Sequence, residues 1–87
     1  MYCVFVYDVS TKRLDRVRGL LAQYMTWVQN SAFEGEVTPS QVREIKSRLM
    51  SIIDVDEDSV LIYSVPERKR MAREHLGLIK AEEKHII

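Results

Sequence analysis

One cysteine, three glycines and two prolines stand among the 87 residues, and each scarcity removes a class of protein. A lone thiol, Cys3, forms no internal disulfide, so the chain is expected in a reducing cytoplasm. It lies inside the first apolar run and reads as a small core residue. Gly19, Gly35 and Gly77 are isolated, which leaves no glycine-rich phosphate loop. There is no nucleophile elbow, and no Cys/His cluster has zinc-ligand spacing. Thirteen bases balance thirteen acids, against a uniformly basic nucleic-acid binder. No apolar run approaches the roughly 20 residues that span a bilayer, and no secretory leader pattern precedes the first run. Repeats, low-complexity tracts and linkers are absent too. The chain reads as a single domain over 1–87, a core over 1–65 followed by a tail over 66–87.

What is present is a soluble, globular composition, 46% hydrophobic and 30% charged. So small a domain buries its core with little margin, and pairing with a second copy would help. Its charges are segregated. Lys12, Arg13, Arg16 and Arg18 against Asp15 leave the first helix at +3, and Arg68, Lys69, Arg70 and Arg73 against Glu67 and Glu74 leave a later segment at +2. Asp54, Asp56, Glu57 and Asp58 form an acidic loop. Basic faces of this kind either hold phosphates or are simply solvated helix faces.

Residues 2–7 are continuously apolar, as in a central strand covered on both faces. Ser10 or Thr11 then caps a helix whose apolar stripe is Leu14, Val17, Leu20, Leu21 and Tyr24. Residues 27–37 alternate like a strand that bends or turns near Asn30-Ser31. Thr38-Pro39-Ser40-Gln41 starts a second helix: Thr38 caps it, Pro39 suits its first position, and Gln41 completes a capping box. Val42, Ile45, Leu49 and Ile52 supply its buried stripe. Residues 59–65 form another strand, 66–74 a polar turn or short helix, and 75–79 and 85–87 short strand candidates. The order predicts a ferredoxin-like βαββαβ α+β sandwich, two helices on one sheet face, with a short extra C-terminal strand. Its other face needs cover, and a homodimer joined through the sheet would provide it, the tail strand adding to the partner's edge.

Asp8 closes the first strand and precedes the basic helix. It is either a helix-start acid or a metal ligand. If two uncovered faces meet on a two-fold axis, two copies of Asp8 approach each other and can share a hydrated divalent ion, with Lys12, Arg13 and Arg16 placed to hold phosphates. Trp27 and Phe33 either stack on bases or pack in the core or a dimer interface. Ser31 either binds a phosphate or metal-bound water, or satisfies a tight turn. His75 and His85 read as solvated tail residues.

Tyr2-Cys3-Val4-Phe5-Val6-Tyr7-Asp8-Val9, followed at the right distance by Val28-Gln29-Asn30-Ser31-Ala32-Phe33-Glu34-Gly35, resembles a known family. That family is Cas-two, the second of the two universal CRISPR-associated adaptation proteins. The acidic loop and Ser59-Val60-Leu61-Ile62-Tyr63 extend the resemblance to about Val65. It implies a ferredoxin-like homodimer working with the CRISPR integrase in spacer acquisition. It also implies a Mg2+- or Mn2+-dependent endonuclease that hydrolyses phosphodiester bonds in RNA or DNA. By that resemblance Asp8 is the metal ligand and catalytic residue, Arg16 the best-matched phosphate-holding base, and Arg13 the second. Ser31 and Phe33 fall at the family's Ser and Phe positions. Met25 replaces the glycine that members often carry after the first helix, and Trp27 replaces a frequent base before Val-Gln. The alternative is a non-catalytic adaptor that bridges integrase subunits and binds duplex DNA; a toxin-like ribonuclease of similar fold is a third reading.

Overall fold

The structure, a computed structural model, describes residues 1–78 of the chain. Strand β1 (Tyr2–Asp8) leads into helix α1 (Thr11–Ala22), then β2 (Thr26–Gln29), β3 (Ala32–Glu36), helix α2 (Pro39–Met50) and β4 (Ser59–Val65), with a single 3-10 turn at Arg68–Arg70. The four strands form one sheet in the order β2-β3-β1-β4, every pairing antiparallel. This is the expected ferredoxin-like α+β sandwich.

The helix starts follow their local chemistry. The Ser10 hydroxyl accepts the Lys12 amide at α1, and at α2 Thr38 and Gln41 form the reciprocal capping box with Pro39 as the first helical residue. Val17, Leu20 and Leu21 from α1 and Ile45 and Leu49 from α2 close over Cys3, Phe5 and Tyr7 of β1, forming one core. Between β2 and β3 the chain turns at Asn30, whose φ of 40° lies in the left-handed region that Asn tolerates better than most residues.

β1 departs from the expectation of cover on both faces. Its burial alternates: Cys3, Phe5 and Tyr7 are buried beneath the helices, while Tyr2, Val4 and Val6 are half-buried on the opposite, open face. Apolar residues therefore line both faces of the strand although one chain supplies helices for only one of them. Next to it on the open face, Leu61 and Tyr63 of β4 are 57% and 59% exposed. Gly35 is required for a local reason. A Cβ there would lie 3.0 Å from Met25 Cγ and 3.2 Å from Met25 Cα, so Met25 packs directly onto this glycine.

Beyond β4 the chain turns back across the open face. Glu34, otherwise a carboxylate on an apolar sheet, is buried there between the Arg73 guanidinium and the Tyr2 hydroxyl, which donates to it at 3.0 Å. The expected strand over 75–79 is not formed in its described part, 75–78, which is irregular. The candidate over 85–87 lies outside the described residues. Among the described residues no helix is long and apolar enough to cross a membrane.

Candidate nucleic-acid and metal site

Asp8 is the last residue of β1 and the exposed end of its open-face row, paired in register with Ser59. Helix capping does not occupy it. Ser10 performs that task, and the N-cap amide of Ser10 donates to Asp58 Oδ1 at 2.9 Å. Among the described residues nothing donates to the Asp8 carboxylate, so its oxygens face solvent, available to a cation. Among the described residues no group of three His, Cys, Asp or Glu side chains stands together there either. One chain thus contributes a single carboxylate, short of the oxygen set that a divalent cation requires.

The acid that does serve α1 is Asp58, its side chain 0% exposed. Its carboxylate accepts the amides of Ser10 and Asp54, each at 2.9 Å, and Arg13 Nε at 2.6 Å and Nη2 at 3.2 Å. Glu57 takes a further bond from Arg13 Nη2 at 2.8 Å. Lys12 and Arg13 lie in the first turn of α1, where the helix dipole disfavours bases; the Asp58 carboxylate supplies the negative charge that this end favours. The hydrogen bonds from Arg13 hold the Asp58 carboxyl well below the usual carboxylate range, with burial opposing and the two backbone amides assisting. Arg13 is therefore committed to clamping the β1–α1 junction, two residues beyond Asp8, onto the start of β4. Sequence reasoning passed over this role of Asp58. Its one signal was the coincidence of an acidic loop before β4 with a basic start after β1, at the shared end of two paired strands.

The remaining expected residues separate by environment. Arg16 is exposed on α1. Ser31 is half-buried in the β2–β3 turn, where its carbonyl accepts the Tyr7 amide at 2.9 Å. Phe33 is 3% exposed, its ring 6.1 Å from that of Tyr7 beneath the helices, which makes it a core residue with no face left for a base. Trp27, on the same helix side as Phe33, donates from Nε1 to the Asn30 carbonyl at 2.9 Å and carries the Arg18 guanidinium over its ring at 5.7 Å. On the open face a groove of about 510 Å³ runs from Val4 and Val6 past Gln29 and Ser31 to Met71 and Arg73. Asp8 and Ser31 thus lie toward one end of the sheet, and Ser31 also lines the groove on the open face. Arg13 and Phe33 are held elsewhere.

Comparison with known proteins gives one answer. The family model described as "CRISPR associated protein Cas2" matches residues 1–73. A Methanosarcina acetivorans protein named CRISPR-associated endoribonuclease Cas2 is 47% identical over 87 residues, covering 100% of both chains. A crystal structure described as that of cas2 superposes with a TM-score of 0.86 at 43% identity, covering 94% of this chain and 92% of the other. Streptococcus pyogenes Cas2 superposes with a TM-score of 0.79 at 40% identity, covering 88% and 100%. Together with the first strand ending in Tyr7-Asp8, the Val28 to Gly35 segment and the observed sandwich, these matches show that the chain belongs to the CRISPR-associated Cas2 family.

Proposed function

We propose that two copies of this chain form a metal-dependent endoribonuclease, with the Asp8 carboxylates meeting across a two-fold axis to hold one Mg2+ or Mn2+. The observation that carries this reading is Asp8 itself: an exposed carboxylate without a donor among the described residues, closing the central strand of an open apolar face. A single carboxylate does not make a magnesium site, but its two-fold copy doubles the donor set while the apolar faces bury each other. The cation, when bound, neutralises phosphate charge and lowers the pKa of a coordinated water. The chain's own residues do the rest. Asp8 positions the cation, Arg16 holds the RNA backbone from α1, and Ser31 offers a hydroxyl near the same end of the sheet. Arg13 and Asp58 keep the β1–α1 junction, and with it Asp8, in place. Relatives named as endoribonucleases support the reaction class.

A second reading, a non-catalytic adaptor bridging integrase subunits on duplex DNA, is supported by the exposed bases Lys12 and Arg16 of α1. Cleavage of single-stranded RNA with Mg2+, compared between the parent and Asp8→Asn, separates the two. The enzyme reading expects Asp8→Asn to lose roughly two orders of magnitude in rate, the scale of removing one charge-stabilising group, while far-UV circular dichroism is unchanged. Equal rates for the two proteins contradict it. A parent that is inactive with Mg2+ and Mn2+ yet needed for spacer integration by the CRISPR integrase establishes the adaptor.

A further inference from the structure

Arg18 is a cation that the proposed function leaves unused. Arg13, Arg48 and Arg73 spend their donors on Asp58, on Gln23 and Tyr24, and on Glu34. Arg18, half-buried on α1, has no such partner among the described residues, and its guanidinium lies instead over the Trp27 ring, 5.7 Å from the centroid. The ring is itself anchored. Its Nε1 donates to the Asn30 carbonyl at 2.9 Å, and the Tyr7 hydroxyl donates to the same carbonyl at 3.4 Å. The Tyr7 amide in turn donates to the Ser31 carbonyl, so hydrogen bonds join indole, phenol and turn into one unit. The cation stands close to that unit: burial pushes the Tyr7 phenol up, and the charge of Arg18 partly opposes the shift.

A guanidinium lying on an indole face keeps its in-plane N–H edge for another ligand, and it is less strongly hydrated than an ammonium. That edge matches the oxygens of a phosphate, which two parallel N–H bonds can grip at once. The indole beside it is half-buried and packs against the core, so it supports the guanidinium from beneath while the N–H edge stays outward. Here the basic side chain comes from α1 and the strand contributes the aromatic support.

We propose that Arg18, held on the Trp27 ring, is a backbone-phosphate contact for single-stranded RNA beside the β2–β3 turn. The assignment rests on the nucleic-acid reading above and adds a contact on the helix side of the turn that carries Ser31. Trp27 is the one tryptophan of the chain, so its fluorescence reports this spot alone. The experiment is a titration of the intact protein with a short oligouridylate in EDTA, which keeps the strand uncut, repeated over a series of NaCl concentrations. Binding is expected to change Trp27 emission. Arg18→Gln is expected to flatten the plot of log affinity against log salt by about 0.7, the share of one single-strand phosphate, and Arg18→Lys to restore the slope. Parent binding without a change in Trp27 emission, or an Arg18→Gln slope equal to the parent's, overturns the assignment while the nucleic-acid reading stands. A parent that binds no oligouridylate even at low salt overturns the nucleic-acid reading, and the Arg18 contact with it.

Discussion

Arg13 and Arg16 lie three residues apart on α1 and meet opposite surroundings. Arg16 remains exposed, as a basic helix face implies, whereas Arg13 reaches across to Asp58 and Glu57. That difference was not legible in the sequence, because the partners lie 44 and 45 positions away and only strand pairing brings them close. Asp8 was legible as the end of an apolar strand. Its freedom from capping was not, since Ser10 and Asp58 relieve it of the task. The clamp gives a pH prediction. Asp58 has a folded-state pKa below its unfolded value, so its contribution to stability is fully present above the ordinary carboxylate pKa of about 4 and is lost as the pH falls through the lowered value. Asp58→Asn should lower the thermal midpoint at neutral pH and flatten its decline below about pH 4. The check is thermal unfolding across that range; parallel acid limbs for the two proteins would contradict the role given to Asp58.

At the scale of elements, local signals worked wherever the partner is near in sequence. The α2 capping box and both helical stripes were readable because helix chemistry acts over three or four residues. Thr38→Ala should therefore cost about 1 kcal/mol in urea unfolding, since it frees the Gln41 amide. The β2–β3 turn was a weaker signal, with no glycine at either position, and its closure depends on the Trp27 indole and Tyr7 hydroxyl converging on one carbonyl. Asn30 occupies the left-handed region, so Asn30→Ala should destabilise by about 1–2 kcal/mol and Asn30→Gly by less. Urea midpoints for the pair check the order, and the reverse order would refute the turn conformation. The cover expected on both faces of β1 followed from its unbroken apolar run. A sequence pattern records that a face is apolar, but not whether its own helices or another chain covers it.

At the scale of the whole molecule, the open sheet face is the feature on which the proposed function turns. Val4, Val6, Leu61 and Tyr63 line it, Glu34 is neutralised on it by Arg73, and Asp8 marks its end. A face that combines half-buried and exposed apolar side chains with a carboxylate that has no donor among the described residues suits a second copy of itself. Leu61→Asp should then shift sedimentation from a dimer to a monomer with the fold retained. An unchanged sedimentation coefficient would place the interface elsewhere. If two such chains share one ion between their Asp8 carboxylates, calorimetric titration with Mn2+ will give one ion bound per two chains, with that binding abolished in Asp8→Asn. One ion per chain, or undiminished binding by Asp8→Asn, would contradict the shared site.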